Sequence, residues 1–283
     1  KNVDAVEGSA IRAQCISQRC RGLSNVRVFC SDFNNIDFKE KYDVVTLIGV
    51  AEYACLTLNT TDPFRDYLSV AKSFLKEDGI LILAIENKLG LKYFSGLPED
   101  HTGIPYFGIY NLYNSKTAQT LGKKELEKKI HEAGFGFYNF YFPFPDYKLP
   151  KVIINENVFD EENMSVCDML MSIKERDYSN NYNMHFETNM VWESLEDNSL
   201  IDKMANSFLV TMSTLKKHDD NNLVYYYTID RKREYNTRTV FNKYKDKVHV
   251  IKESLSESIE NKKSDSVLVH NLKNEYNEYY IDG

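Results

Sequence analysis

Two acidic side chains near the start of the chain follow apolar runs. Glu7 comes directly after "VDAV", and Asp32 comes after "NVRVFCS". A carboxylate at a strand end can accept hydrogen bonds from two hydroxyl groups, and such charge-assisted bonds are stronger than neutral ones. Glu7 therefore suits a ribose or, in the simpler interpretation, the start of the next helix, where the helix dipole favours an acid. Phe33, next to Asp32, offers an aromatic face on which a purine can stack.

Polar or small residues also follow two later apolar runs. The run "YDVVTLI" is followed by "GVAEY", and "ILILAI" is followed by "ENK". In an open parallel sheet, ligands bind beyond the carboxyl ends of the strands. We therefore predict that the segments after all four runs lie along one rim of a sheet and form one site.

Strand and helix patterns alternate through the first part of the chain and would bring these segments together. The continuous apolar run over residues 42–50 is typical of a strand buried on both faces. Pro63 opens a helical pattern whose apolar stripe comprises Phe64, Tyr67, Leu68, Ala71, Phe74 and Leu75. This β-α-β order predicts an α/β fold with an open, mostly parallel Rossmann-like sheet and helices on both faces.

Two domains are predicted. Residues 1–213 form the α/β domain, which ends with the strand "SFLVTM" and contains an irregular, partly helical insertion at about 155–203. From residue 214 onward, the segments "LVYYYTI", "TRTVFNKY" and "KVHVIKES" alternate as an antiparallel meander. Residues 214–283 are therefore predicted to form a small β-rich segment followed by a helix, as the beginning of a second domain.

Composition narrows the functional class. The 283 residues carry a net charge of -7 and contain no long basic stripe, which argues against nucleic acid as a partner. The longest apolar stretches, such as "GILILAI", are too short to cross a bilayer, so no transmembrane segment is predicted. The five cysteines form no CxxC pair, which predicts reduced thiols in a cytoplasmic protein and no metal site.

The four segments together resemble a known family. The series "VDAVEGS … VRVFCSDF … YDVVTLIGVAEYA … FLKEDGILILAIEN" resembles the second to fifth strands of class I S-adenosylmethionine-dependent methyltransferases. The resemblance implies S-adenosylmethionine as the cofactor, with its ribose at Glu7 and Gly8 and its adenine at Asp32 and Phe33. The methionine part is assigned to residues after the third of these strands: Ile48, Gly49 and Glu52.

One part of the family pattern is expected upstream of this chain. The first motif of the family, an acid followed by a glycine-rich turn, would precede Lys1. Residues 1–213 are therefore predicted to lack the first strand and the glycine-rich turn of the domain. If this chain is the entire molecule, we expect its binding of the cofactor to be weak or lost.

Two later segments are similar to a narrower group. Both "ENKLGLKYFSGLPEDHTGIPYFGI" and "FYFPFPDYKLPKVIINE" resemble bacterial methyltransferases associated with cell-surface polysaccharide synthesis. This resemblance implies a glycan or another small hydroxyl compound as acceptor. It also implies other polysaccharide-synthesis proteins or fused domains as partners, in the cytoplasm or at the membrane periphery where such partners hold the chain.

Methyl transfer to a hydroxyl group calls for a base, because a protonated alcohol is a poor nucleophile. His101, in the loop "PEDHTG", is the predicted base, oriented by Asp100 or Glu99; the simpler interpretation is a loop histidine bonded to backbone. Candidates for the acceptor pocket are Glu86, Asn87, Lys88, Tyr93 and Tyr106. The aromatic residues among them suit a wall that stacks on a sugar, but they equally suit anchors of the loop.

Two other functions are consistent with parts of the pattern. A nicotinamide-dependent oxidoreductase would also place an acid such as Glu7 on a ribose, but it predicts a catalytic Tyr-x-x-x-Lys or similar pair after the later strands, and the segments "SDF" and "IGVAEY" fit the methyltransferase pattern better. A non-catalytic methyltransferase-like scaffold in a polysaccharide assembly complex is the second alternative, because the glycine-rich turn is not in this chain.

Overall fold

The computed structural model describes residues 1–161, 164–176, 184–215, 220–245, 247–256 and 267–271. The strands are β1 (Val3–Glu7), β2 (Val26–Cys30), β3 (Tyr42–Ile48), β4 (Leu75–Glu86), β5 (Phe137–Phe144), β6 (Val152–Asn155), β7 (Ser207–Ser213), β8 (Asn222–Thr228), β9 (Thr237–Tyr244), β10 (Lys247–Ser254) and β11 (Val267–Asn271). The α-helices are α1 (Ala10–Arg19), α2 (Ala54–Thr57), α3 (Pro63–Ser73), α4 (Leu91–Phe94), α5 (Lys123–Glu132), α6 (Cys167–Met171), α7 (Trp192–Asp197) and α8 (Ile201–Met204).

Nine of the described strands form one mostly antiparallel sheet. Their order is β11-β10-β9-β8-β6-β5-β7-β4-β3, and β3 with β4 is the one parallel pair among them. The prediction of a mostly parallel sheet is therefore wrong, although the α/β class holds. The reason is the connections: residues 145–151 between β5 and β6 are too few for the crossover that a parallel pair needs, so the chain turns back on itself.

The first two strands form a separate parallel pair. Their register runs from Val3 opposite Val26 to Glu7 opposite Cys30, with α1 as the crossover between them. The Tyr42 hydroxyl at the start of β3 donates a hydrogen bond to Asp4 of β1. This contact holds the pair against the β3 edge of the large sheet.

Helix α3 forms where the apolar stripe predicts it. Pro63 stands in its first turn, and the Asp62 side chain caps it by accepting from the Arg65 N–H at 3.3 Å. The buried face packs into the main core and consists of Phe64, Tyr67, Leu68 and Ala71. The next strand, β4, starts at Leu75, earlier than the run "ILILAIEN" suggests. Gly79 permits this, because a Cβ there would lie 2.9 Å from the Tyr42 carbonyl oxygen.

The strands that follow residue 214 extend the large sheet. β8 pairs with β6, with Val152 opposite Tyr226, and β9 and β10 follow as hairpins. The division into two domains stays a prediction. Of the predicted C-terminal helix, 257–266 and 272–283 lie outside the described residues, and Val267–Asn271 forms β11 instead. Short helices α6, α7 and α8 occupy the insertion.

Among the residues that the structure describes, every helix is too short or too polar to span a bilayer.

Asn206, the residue before β7, connects three segments of the interior. Its amide donates to the Pro145 carbonyl at 2.9 Å and to Glu175 at 2.7 Å, and its oxygen accepts from the Lys92 N–H at 3.0 Å. Because the side chain is fully buried, its removal leaves these groups without a replacement partner.

We expect Asn206→Ala to lower the free energy of unfolding by about 3 kcal/mol, measured by urea denaturation. The control is Asn198→Ala, which removes an exposed amide and should cost less than about 0.5 kcal/mol. Equal losses for the two variants would contradict the connecting role of Asn206.

Candidate active site

The carboxylate of Glu86, the last residue of β4, is the centre of a buried polar cluster. The side chain is fully buried. It accepts a hydrogen bond from the Tyr93 hydroxyl at 2.9 Å and another from Lys148 Nζ at 2.9 Å. Tyr93 belongs to α4, and Lys148 belongs to the loop after β5. Glu86 therefore joins three parts of the chain at one strand end.

Two lysines and a second carboxylate complete the centre of this cluster. Lys148 also bonds Asp100, and Lys92 Nζ lies 3.6 Å from Asp100 and 3.9 Å from Glu86. Lys92 further lies 4.8 Å from the centroid of the Tyr93 ring, a distance typical of a cation–π contact. The fully buried ammonium of Lys92 is thus surrounded by negative charge and an aromatic face.

The pKa values of Glu86 and Asp100 are shifted in opposite directions. Burial raises the pKa of Glu86 to about 7, against the opposing effect of Lys92. Burial would also raise the pKa of Asp100, but a hydrogen bond from Glu86 together with Lys92 and Lys148 lowers it below its usual range. Glu86 is therefore the proton donor of the pair and Asp100 the ionised acceptor.

Glu52 is a buried carboxylate without a hydrogen bond in the described part of the chain. Burial raises its pKa to about 7, with a smaller contribution from the charge of Glu86, and nearby backbone N–H groups of Glu52 and Glu86 oppose the rise. Its Oε1 lies 3.9 Å from His101 Nε2. Glu52 is thus a buried acid that faces an imidazole.

The His101 ring lies between an exposed phenol and two buried acids. Its Nδ1 lies 3.1 Å from the Tyr53 hydroxyl, and its Nε2 lies 3.7 Å from Glu86 Oε2 on the other side. Burial lowers the pKa of His101, and the charge of Asp100 only partly offsets this. The imidazole is therefore mostly neutral at pH 7, the state that a general base requires.

Gly49 directly follows β3, in a turn whose backbone conformation favours glycine. Its φ is +62°, and an added Cβ would collide with the Tyr147 hydroxyl. Ile48, beside it, is half exposed. Tyr147 therefore covers the end of β3, and burial, together with the charges of Glu52 and Glu86, raises its pKa.

Glu7 lies at the beginning of α1 with one carboxylate oxygen in use. Its Oε1 accepts from the Ser9 N–H at 2.8 Å and from Arg12 at 2.8 and 3.0 Å, whereas Oε2 accepts no hydrogen bond from a described residue. The Arg12 guanidinium lowers the pKa of Glu7, so this carboxylate is ionised. The neighbouring Gly8 leaves open space, since an added Cβ would come no nearer than 4.0 Å to the Ser31 carbonyl.

Asp32 and Phe33 begin a short 3₁₀ turn. Asp32 Oδ1 accepts from the backbone and side chain of Asn34 at 3.2 and 3.1 Å. The Phe33 ring packs against Tyr67 and Phe74, with centroid distances of 5.0 and 5.3 Å. Burial raises the pKa of Tyr67 to about 12, and the charges of both Asp32 and Glu52 add to this. Asp32 and Glu52 therefore lie within electrostatic range of the same phenol.

Several predicted site residues converge on the cluster, and others do not. Those that converge are Gly49, Glu52, Glu86, Tyr93, Asp100 and His101. The Asn87 amide instead donates to the carbonyls of Lys203 and Ala205. Lys88 bonds Glu125, and Tyr106 bonds His185 at 3.0 Å.

Glu99, one of the two residues predicted to orient His101, bonds other side chains instead. Burial raises the pKa of Glu99, and its carboxylate bonds Tyr113 and Thr120 rather than the imidazole. Tyr53 contacts the ring instead.

Four residues of the cluster are not among the predicted site residues: Tyr53, Lys92, Tyr147 and Lys148. Tyr147 and Lys148 lie in the segment "FPFPDYKLP", whose prolines indicate a stiff loop that can present polar groups. No comparable signal marks Tyr53 or Lys92.

In the part of the chain that the structure describes, no group of three His, Cys, Asp or Glu side chains is arranged to hold a metal ion.

The chain is similar to solved structures of S-adenosylmethionine-dependent methyltransferases. A possible histamine N-methyltransferase of Thermotoga maritima matches with 13% identity and a TM-score of 0.41, over 75% of this chain and 72% of that chain. PKMT2 of Rickettsia typhi, in complex with AdoHcy, matches with 10% identity and a TM-score of 0.42, over 90% and 54%. The N-methyltransferase NodS of Bradyrhizobium japonicum, in complex with S-adenosylhomocysteine, matches with 15% identity and a TM-score of 0.28, over 31% of this chain.

These likenesses are too distant to carry an argument about activity. The chain spans only 42% of the length of NodS. No protein-family profile and no curated protein matches the sequence.

The raised pKa of Glu52 predicts a pH dependence of stability. Between about pH 5 and pH 7 the folded chain holds this proton more tightly than the unfolded chain, so stability falls as the pH rises. In Glu52→Gln, the loss of unfolding free energy between pH 5 and pH 8 should be smaller by about 2 kcal/mol, measured by urea denaturation. Glu77→Gln, at an exposed position of β4, is the control and should keep the parent profile. If the free energy of unfolding of Glu52→Gln fell with pH as it does in the parent, the prediction would be contradicted.

Gly49→Ala tests the contact with Tyr147. It should lower the free energy of unfolding by more than about 2 kcal/mol, because the alanine is strained at this φ and displaces the phenol. Gly103, with a φ of +69° and nothing within 4 Å of an added Cβ, provides the control. Gly103→Ala isolates the backbone strain and should cost about 1 kcal/mol in the same urea titration. Equal costs would show that Tyr147 does not restrict this position.

Proposed function

We propose that this chain is an S-adenosylmethionine-dependent methyltransferase. The observation that carries the proposal is the position of Glu7 and Asp32. β1 and β2 are parallel neighbours, with Glu7 opposite Cys30. Neighbouring strands lie about 5 Å apart. Glu7, which ends β1, and Asp32, which follows β2, therefore lie at the same edge of this pair. Each uses one carboxylate oxygen within the protein and leaves the other without a described partner.

This end of the site fits an adenosine. Glu7 is ionised and keeps Oε2 for the ribose hydroxyls, and Gly8 leaves space beside it. Asp32 keeps Oδ2 for the adenine amino group. Phe33 contributes only the part of its ring that packing against Tyr67 and Phe74 leaves uncovered.

The other end of the site fits proton transfer. When bound, S-adenosylmethionine supplies an electrophilic methyl group. The neutral His101 can accept a proton, the carboxyl groups of Glu52 and Glu86 face its Nε2, and the charge of Asp100 stabilises the protonated ring. Burial of these groups keeps water out and strengthens each of these charge interactions.

We propose a sugar hydroxyl or a related small hydroxyl compound as the acceptor, in the synthesis of bacterial cell-surface polysaccharide. The support is the resemblance of residues 86–109 and 140–156 to that group of methyltransferases. These segments contain Glu86, Asp100, His101 and Lys148 of the cluster. The proposed partners are other polysaccharide-synthesis proteins or fused domains. The chain would act in the cytoplasm, or at the membrane periphery where such partners hold it.

Binding of S-adenosylhomocysteine, measured by calorimetry, tests the cofactor. Glu7→Gln should weaken binding at least about 10-fold, because a neutral amide replaces a charge-assisted acceptor. Glu40→Gln changes an exposed acid and is the control that should bind as the parent does. No binding by this chain, and none by a form extended upstream of Lys1, would contradict the proposal.

A further inference from the structure

Glu52 and Tyr53 are consecutive residues that point into opposite environments. They belong to the 3₁₀ turn Ala51–Tyr53, directly after β3. Glu52 is 0% exposed, and Tyr53 is 42% exposed. The His101 ring joins them, with Nδ1 at the Tyr53 hydroxyl and Nε2 facing Glu52. The imidazole itself is nearly enclosed, with 9% of its side chain exposed.

We propose that Tyr53, rather than His101, is the group that meets the acceptor, and that Tyr53, His101 and Glu52 form a proton relay. This inference rests on the proposed methyl transfer. As the acceptor oxygen attacks the methyl group, the bond between that methyl and the sulfonium breaks, and its electron pair stays on sulfur. The acceptor proton passes to the Tyr53 oxygen while the phenol proton passes to His101 Nδ1. The positive charge lost at sulfur thus reappears on the imidazolium.

The geometry around His101 suits this direction of transfer. When Nδ1 accepts from Tyr53, the neutral ring carries its hydrogen on Nε2, which faces Glu52 at 3.9 Å and Glu86 at 3.7 Å. Asp100 also stabilises a protonated ring, whereas Lys148 and Lys92 oppose it. The buried acids act as the third member of a triad, and Tyr53 takes the position of its exposed hydroxyl.

Among the described residues, a second phenol–imidazole contact has no acid paired with its imidazole. The Tyr106 hydroxyl lies 3.0 Å from His185 Nδ1, a geometry close to that of Tyr53 and His101. Among the described residues, no carboxylate forms an ion pair with His185. This contact therefore serves as a comparison within the chain: it shares the hydrogen bond of the relay without the buried carboxylate.

Selective labelling with phenylmethylsulfonyl fluoride tests the relay without an acceptor or a cofactor. The phenol oxygen of tyrosine attacks sulfur, fluoride leaves, and the phenol proton goes to the paired imidazole. Labelling rates of Tyr53 and Tyr106 are read by mass spectrometry of the peptides from one sample. The variants are His101→Ala, Glu52→Gln and, for the comparison pair, His185→Ala.

The expected result is labelling of Tyr53 at least about 10-fold faster than that of Tyr106. That excess should disappear in His101→Ala, fall several-fold in Glu52→Gln and persist in His185→Ala. Equal rates at the two phenols, or an excess that survives in His101→Ala, would overturn the relay. An unchanged rate in Glu52→Gln would overturn the part assigned to Glu52.

A second measurement connects the relay to turnover. Tyr53→Phe keeps the ring and should bind S-adenosylhomocysteine as the parent does. Its transfer of labelled methyl to a panel of monosaccharides and nucleotide sugars should fall at least about 100-fold. Parent-level transfer by Tyr53→Phe would overturn the role of Tyr53. Failure of the parent to bind S-adenosylhomocysteine contradicts the proposed function instead, and the labelling result is independent of it.

Discussion

The buried carboxylate of Glu86 is the constraint on which the arrangement of the site depends. A buried polar group costs free energy unless it is hydrogen-bonded, and a buried charge costs more unless it is also paired. Tyr93 of α4 and Lys148 of the loop after β5 donate those hydrogen bonds from segments that are far apart in the chain. The removal of either partner would leave a polar group unsatisfied in the interior. The end of β4 therefore holds both segments, and with them Asp100 and His101, in one position.

Acids outnumber lysines within this cluster. Glu52, Glu86 and Asp100 lie around Lys92 and Lys148, and two ammonium groups cannot neutralise three carboxylates at close range. The interior resolves the excess by keeping protons: the pKa of Glu52 and that of Glu86 rise to about 7, while Asp100 stays ionised. Because these groups interact, they titrate as a set. The site can thus gain or lose a proton near neutral pH while the ion pairs of Asp100 with Lys92 and Lys148 remain in place.

Local patterns in the sequence predicted the helix α3 and the strands up to β4, because spacing of apolar residues determines which face is buried. They did not predict the sheet, since the partner of a later strand depends on contacts between distant residues: β7 pairs with both β4 and β5. The same limit applies to the site. His101 and Glu86 follow predicted strands, but Lys148 reaches Glu86 across 62 residues and Tyr53 reaches His101 across 48. No local pattern reports such pairs.

The two ends of the site differ in hydration, and the sheet explains why. β1 and β2 form a pair of their own, so Glu7 and Asp32 stay partly exposed at its rim. β4 is covered on both sides, by β3 and β7, and its end carries the fully buried Glu86. Tyr67 links the ends, because the charges of Asp32 and Glu52 both act on it. Charges interact more strongly where water is excluded. A ligand that spans the site would therefore be recognised at the partly exposed end, by Glu7 and Asp32, and would react at the buried end.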